Sequence, residues 1–150
     1  MNVKSLLFFA LSFIFAMVVY FVLNPSYEKS LEAKYYYEIG DYTEAYTRAS
    51  EAFSQDQYNR MASTIMAQSK IAMKYTKYIN QAKEYMQEIN AMATQETLSD
   101  ADRAKIKMMS EIMVKSYKKL APSVITDEAL TQEALQYYKD FENLLEKVNH

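Results

Sequence analysis

Cysteine is absent from this chain, and glycine, proline and histidine are almost absent. Without cysteine the chain has no disulfide, no thiolate zinc site and no thiol nucleophile. One glycine and two prolines in 150 residues are too few for the turns of a sheet or for a glycine-rich phosphate loop, so helices joined by few turns are expected. The one histidine, His150, is the last residue, and we assign it no catalytic or ligand role.

Motifs for cofactor or metal chemistry are missing too. No Walker, dinucleotide-binding, zinc-protease or EF-hand pattern occurs, so we predict no cofactor, no metal site and no catalytic residue. Because only Lys4 precedes residue 25, residues 25–150 carry 16 basic and 19 acidic residues, a net charge of −3 that does not favour nucleic acid. An enzyme that uses two of the carboxylates remains an alternative.

One long apolar run lies near the N-terminus. Residues 5–23 carry no charge, and at about 1.5 Å per residue a helix over them is about 28 Å long, close to the hydrocarbon thickness of a bilayer. The run is longer than the apolar part of a signal peptide, and no small-residue cleavage pattern follows it, so we predict a membrane anchor. Lys4 directly abuts the run, which favours a short cytoplasmic tail and anchor in residues 1–24. We expect a single-pass bacterial inner-membrane protein whose C-terminal domain lies outside the cytoplasm.

Residues 25–150 are predicted as a soluble all-α domain of about five helices. The first covers residues 26–39, because Pro25 ends or kinks the membrane helix. Gly40 supplies a left-handed C-cap position, and Asp41 caps a second helix that reaches about residue 53. Apolar residues at three-four spacing over 58–92 predict one long helix or two nearly collinear ones, packed in a bundle or forming a coiled-coil seam.

Two more helices are expected after the long one. Ser99 is a candidate N-cap for the first, which should stop before Pro122. Thr126 is a candidate N-cap for the second. The apolar face predicted for that last helix is Leu130, Ala134, Tyr137, Phe141, Leu144 and Val148.

The segment GDYTEAYTRASEAF, together with the helix before it, resembles one tetratricopeptide repeat over residues 26–59. Lys29, Glu32 and Gln57 depart from that family's pattern, where an aromatic residue, a leucine and a proline are usual. No second consensus repeat is visible, and an ordinary antiparallel helix hairpin is the alternative. The residues that match the repeat's turn and its helix-packing positions are Ala33, Tyr36, Gly40, Asp41, Tyr42, Ala45 and Ala52.

This resemblance implies a TPR-like or helical-bundle domain that binds protein partners. The first-helix face that lines the family's peptide groove carries Tyr27, Lys34, Tyr37 and Glu38 here. We therefore expect a membrane-anchored interaction module, an adaptor, scaffold or accessory subunit of a membrane-associated complex, with residues 5–23 in the lipid bilayer. The alternative is a self-associating structural subunit, a homo-oligomer formed through the long helix 58–92.

The middle of the chain is basic and both ends of the helical domain are acidic. Lys70, Lys74, Lys77 and Lys83 carry most of the basic charge of residues 60–92. One interpretation is attraction between neighbouring helices of the same fold. The other is an acidic partner or anionic lipid headgroups.

Overall fold

The computed structural model describes residues 3–94, 97–120 and 125–149, in which all regular structure is α-helical. An apolar N-terminal helix is followed by five more, which confirms the all-α prediction for these residues. The helices are α1 (Val3–Leu23), α2 (Pro25–Glu38), α3 (Tyr42–Gln55), α4 (Arg60–Ala93), α5 (Asp100–Tyr117) and α6 (Glu128–Asn149). The long helix predicted over 58–92 is one continuous helix, α4, of 34 residues.

Helix α1 is long and apolar enough to cross a membrane. Its segment Val3–Tyr20 is not buried against any other part of the described chain. At about 1.5 Å per residue its 21 residues span about 31 Å. Large apolar side chains such as Leu7, Phe13 and Val18 are more than half exposed. A signal sequence can also meet this criterion of length and hydropathy, so the membrane anchor is a proposal.

The chain divides into two compact units, Met1–Lys70 and Ile71–His150, with the boundary inside α4. We call them the N-terminal unit and the C-terminal unit. Each has its own hydrophobic core. The core of the N-terminal unit is formed by Ala33, Ala45, Ala49 and Ile65. That of the C-terminal unit is built around Tyr75, Tyr78, Ile79, Ala82, Ile89, Met92, Ile106, Met109, Met113, Ala134 and Phe141.

In the N-terminal unit, α2 and α3 form an antiparallel hairpin. The Ser26 hydroxyl donates to the Ala52 carbonyl at 2.8 Å, and Lys29 pairs with Glu51 at 2.6 Å. Residue numbers therefore rise along one helix as they fall along the other. Small side chains at the contact, which include the fully buried Ala45, allow the two backbones to approach closely.

The turn between α2 and α3 confirms the predicted caps. Gly40 has a φ of +83°, a left-handed conformation that glycine adopts without steric cost. The Gly40 N–H donates to the Tyr37 carbonyl at 3.1 Å, and the Asp41 N–H donates to the Tyr36 carbonyl at 2.9 Å. These two bonds form a Schellman motif. The Asp41 carboxylate accepts from the Glu44 N–H at 3.0 Å and so starts α3.

Caps also define the helices of the C-terminal unit. Ser99 is the N-cap of α5, as predicted, and it also forms a capping box with Asp102. Helix α5 ends at Tyr117, before Pro122 as predicted, and Pro122 itself lies outside the described residues. The N-cap of α6 is one residue later than predicted. Asp127 caps it rather than Thr126, and its carboxylate accepts from the Ala129 N–H at 2.8 Å, because a carboxylate is favoured at the positive end of the helix dipole.

Candidate functional site

A groove between α2 and α4 holds three of the four predicted partner-binding residues. Lys34, Tyr37 and Glu38 are spaced three and four residues apart, so they share one face of α2. The opposite wall comes from the first turns of α4. The groove has a volume of about 460 Å³ and is lined by Lys34, Tyr37, Glu38, Arg60, Met61, Thr64, Ile65 and Gln68.

The apolar floor of this groove borders the core of the N-terminal unit. Tyr37 and Met61 are half-buried and pack against that core, and Ile65 belongs to it. The Tyr37 ring meets Tyr42 edge-on, with centroids 5.3 Å apart and planes at 65°. This contact with Tyr42, the first residue of α3, helps to orient the Tyr37 ring. The polar side chains of Lys34, Glu38 and Arg60 along the rim are exposed.

The rim of the groove carries an excess of positive charge. Lys34 and Glu38 form an ion pair at 3.7 Å, with both side chains more than half exposed. Arg60 is exposed and takes part in none of the ion pairs that the structure describes. A guanidinium offers two parallel donors to a carboxylate. Arg60 is thus the charge on this rim that remains available to an acidic ligand.

Tyr27, the fourth predicted residue, lies apart from the groove. Its ring is 5.9 Å from that of Tyr20, at the junction of α1 and α2. On α2, Tyr27 is seven residues before Lys34, about 10 Å along the helix axis. The structure therefore places three of the four residues in one groove and the fourth beside the apolar helix.

A buried polar cluster that the sequence analysis missed holds this arrangement together. Asn59 is fully buried, and its side-chain amide donates to the hydroxyls of Ser26 at 2.9 Å and Ser30 at 2.8 Å. Its carbonyl oxygen accepts from the Ala62 N–H at 3.1 Å, which makes Asn59 the N-cap of α4. Asn59 therefore ties the start of α4 to α2, and so fixes the two walls of the groove. An asparagine just before an apolar periodic stretch was the available signal.

Two departures from the repeat pattern have a structural explanation. Lys29 and Glu32 stand where apolar residues are usual, and both form ion pairs with α3. Lys29 bonds to Glu51, and Arg48 lies 3.7 Å from Glu32 and 2.9 Å from Glu44. The hydrogen bond from Lys29 lowers the pKa of Glu51. Hydrogen bonding to Glu44 raises the pKa of Arg48. Charge pairing thus replaces apolar contact along this edge of the hairpin.

The residues proposed to pack a repeat lie at the helix contact. Ala33, Ala45 and Ala52 are fully buried, and Tyr36 and Tyr42 are half-buried. Small residues at these positions are needed wherever two helices approach closely. An ordinary helix hairpin has the same requirement, so burial does not separate the two interpretations.

The four lysines in the middle of the chain differ in whether they form ion pairs. Lys83 pairs with Glu133 of α6 at 2.8 Å, which fits attraction between neighbouring helices. Lys70, Lys74 and Lys77 are exposed, and none of them contributes to an ion pair within the described ranges. Among these four lysines, the structure describes an ion pair with a neighbouring helix for Lys83 only.

The C-terminal unit contains a cluster of tyrosines. Tyr117 stacks on Tyr138 with centroids 4.4 Å apart, and Tyr78 lies 5.8 Å from Tyr117. Burial raises the pKa of the Tyr78 phenol. In the part of the chain that the structure describes, no group of three histidine or acidic side chains is placed to hold a metal ion. His150 lies outside that part.

Comparison of the chain with protein-family models, with curated proteins and with solved structures finds no match in any of the three. The resemblance to a tetratricopeptide repeat stays a prediction.

Proposed function

We propose that this chain is a membrane-anchored interaction module. Helix α1 spans a bilayer, and the groove between α2 and α4 binds a segment of a protein partner. The observation that carries this proposal is the position of Lys34, Tyr37 and Glu38. These residues, chosen from the sequence as partner-binding, lie together on one wall of an accessible groove.

The size and floor of the groove suit an apolar anchor residue of the partner. Its volume of about 460 Å³ falls in the range of about 300–1,000 Å³ that is common for ligand pockets. Tyr37, Met61 and Ile65 offer one aromatic and two aliphatic surfaces. Aromatic side chains held rigidly in such a site commonly supply most of the binding energy of an interface. Tyr37 is therefore the residue on which we expect binding to depend most.

The charge of the rim supports a partner segment with an acidic residue beside its apolar anchor. Lys34 already pairs with Glu38, so a partner that bound Lys34 would have to break that pair. Arg60 has no such competitor among the described ion pairs. Complementary charge at a rim mainly increases the association rate and is weakened by salt. We therefore expect affinity to decrease with ionic strength.

Anchoring concentrates this groove at a membrane. Lys4 beside the apolar run supports a cytoplasmic N-terminus and a C-terminal domain on the other side of a bacterial inner membrane. An alkaline phosphatase fused after residue 150 is then active. An inactive fusion, together with a fluorescent cytoplasmic reporter at the same position, reverses the topology.

Site-specific photo-crosslinking tests the groove. A photoreactive amino acid replaces Thr64 on the α4 wall of the full chain, in native membranes. The expected result is a discrete crosslinked protein whose yield falls at least about tenfold with Tyr37→Ala, the effect of losing about 1.4 kcal/mol or more of binding energy. Tyr58→Ala is the matched control, because Tyr58 is 93% exposed and does not line the groove.

Stability is measured for both tyrosine variants, since an unfolded chain also loses its partner. If Tyr37→Ala remains as stable as the parent chain and captures the same protein in equal yield, the groove is not the binding site. Crosslinks between two copies of this chain would favour the self-associating alternative. That alternative is less well supported, because the apolar stripe of α4 is already buried within the cores of the chain itself, for example at Tyr75 and Ile79.

The alternative of an enzyme that uses two of the carboxylates is also less well supported. Glu32, Glu44 and Glu51 lie close together, but Arg48 and Lys29 neutralise them. The Lys29 hydrogen bond lowers the pKa of Glu51, whereas a general acid needs a raised one. Their arrangement is that of a structural ion-pair network.

A further inference from the structure

The junction of α1 and α2 has a defined hydrogen-bonded geometry. The Asn24 side-chain amide donates to the Tyr20 carbonyl at 2.7 Å. The Tyr27 N–H donates to the Asn24 carbonyl at 3.0 Å and starts α2. The rings of Tyr20 and Tyr27 lie 5.9 Å apart on the same side of this junction. A side-chain cap and an aromatic pair thus mark one short segment of the chain.

The backbone at this junction needs polar surroundings. The last four carbonyls of a helix have no donor within the helix. Asn24 supplies a donor to one of them, and Pro25 has no N–H for the carbonyl four residues before it. In hydrocarbon an unpaired carbonyl costs several kcal/mol, which is why spanning helices end in water or among headgroups. The C-terminal end of α1 therefore belongs at the boundary of the bilayer.

The length of α1 places the two boundaries consistently. Lys4 and Asn24 are 20 positions apart in the sequence, about 30 Å in a helix, which matches the hydrocarbon core of a bilayer. Tyrosine is enriched at the membrane–water interface, because its ring is apolar and its hydroxyl is polar. Tyr20 is 49% exposed, so it is accessible to lipid.

We propose that Tyr20, Asn24 and Tyr27 form a lipid-headgroup contact site that fixes the bilayer boundary at the α1–α2 junction. This inference rests on the proposed spanning role of α1. It also sets an upper limit on the height of the groove. Lys34 follows Asn24 by ten residues, so it lies at most about 15 Å from the boundary whatever the tilt of α2. A partner that binds the groove has to approach the membrane surface.

Tryptophan fluorescence tests this site, because the chain contains no tryptophan. The full chain with Tyr27→Trp is reconstituted in phosphatidylcholine vesicles whose lipids carry bromine either near the headgroup end or near the tail end of the acyl chains. We expect strong loss of fluorescence with the shallow bromines and less with the deep ones. Ile39→Trp, at an exposed position at the other end of α2, is the aqueous control and should lose none. Phe13→Trp is the mid-span control and should show the reverse order.

Three results overturn the proposal. If the Tyr27→Trp chain floats with the vesicles but its fluorescence resists quenching as that of Ile39→Trp does, the junction lies in water. If the deep bromines quench the Tyr27→Trp chain most, the junction lies in hydrocarbon. A chain that does not float with the vesicles rejects the membrane anchor and this site together.

A second substitution tests the part that Asn24 plays in the site. Asn24→Leu, introduced into the Tyr27→Trp chain, extends the apolar run by one residue and removes the amide that bonds to the Tyr20 carbonyl. The quenching should then shift towards the deep bromines. An unchanged depth profile would remove Asn24 from the site.

Discussion

The two units of the chain build their interiors from different side chains. The N-terminal unit buries alanines and a polar cluster of Asn59, Ser26 and Ser30. The C-terminal unit buries bulky residues, among them Tyr75 and Phe141. Helices in the first approach closely and are joined by hydrogen bonds, whereas helices in the second are held by buried volume. The first should therefore be sensitive to lost hydrogen bonds and added volume, and the second to cavities.

The largest effect is expected from a cavity in the C-terminal unit. Phe141 is fully buried in α6, so Phe141→Ala should lower the free energy of unfolding by about 3–5 kcal/mol. The measurement is hydrogen exchange of the full chain in detergent micelles, with peptides from α5 and α6 followed separately from those of α3. Exchange in α5 and α6 should accelerate more than exchange in α3.

Leu135→Ala is the control for that cavity. Leu135 lies on the same helix and is 37% exposed, so its removal should cost less than about 1 kcal/mol. Equal acceleration for the Phe141 and Leu135 variants would mean that buried volume does not hold this unit together.

The second effect concerns the polar cluster of the N-terminal unit. Asn59→Ala removes the N-cap of α4 and leaves the hydroxyls of Ser26 and Ser30 without their donor. We expect a loss of about 3 kcal/mol, since a lost cap costs about 1 and an unsatisfied buried group about 1–3. The test is to measure hydrogen exchange of peptides from α2 and α3 at increasing denaturant concentration, for the variant and for the parent chain.

Asn59→Ser separates the two contributions. Serine retains a capping oxygen but lacks the amide donors, so its loss of stability should be intermediate. If the alanine and serine variants both unfold at the denaturant concentration of the parent, the buried cluster contributes no stability and the contrast between the two units fails.

The third effect is overpacking of the hairpin. Ala45 is fully buried where α3 meets α2, so Ala45→Leu should cost about 1–3 kcal/mol because the added volume forces the helices apart. Ala67→Leu is the matched control, because Ala67 is exposed on α4 and should change stability by less than about 0.5 kcal/mol. A parent-like midpoint for both variants would show that Ala45 does not set the helix spacing.

Local patterns were sufficient to predict most of the helices. Alternation of three and four residues identified the buried face of α4, including Tyr75, Ile79 and Ile89. Gly40 was identified as a C-cap because glycine readily adopts a left-handed conformation, and Ser99 as an N-cap because its hydroxyl can accept a hydrogen bond from the first turn of a helix. The predicted N-cap of α6 was wrong by one residue. Thr126 and Asp127 are both favourable capping residues, and only the hydrogen-bond geometry shows that Asp127 is the cap.

Contacts between distant residues were not predictable. The bond between Asn59 and Ser26 joins residues 33 apart, and no local pattern relates them. The groove residues of α2 were predicted from the resemblance to a tetratricopeptide repeat. Those of α4 were not, because their position depends on how the helices pack. The apolar stripe also continues without interruption past Lys70, so nothing in the sequence marks the division of α4 between the two units.

The smallest effect is expected at the exposed edge of the hairpin, where Lys29 lowers the pKa of Glu51 by hydrogen bonding. Because the folded-state pKa lies below the ordinary value of 4.5, the carboxylate stabilises the fold fully above that pH. The contribution is lost as the pH falls through the lower folded-state pKa. Both side chains are partly exposed, so solvent screening keeps the effect small.

Glu51→Gln should therefore lower the unfolding midpoint slightly at neutral pH, and its difference from the parent should shrink on acidification below 4.5. Circular dichroism of the full chain in micelles, in denaturant at each pH, measures this difference. Glu146→Gln is the control, since Glu146 is exposed on α6 and should show no such trend. High salt should weaken the neutral-pH difference for Glu51→Gln as well. A difference that is the same at neutral and acidic pH would show that the ion pair does not stabilise the hairpin. The polar contribution in the N-terminal unit would then come from its buried hydrogen bonds alone.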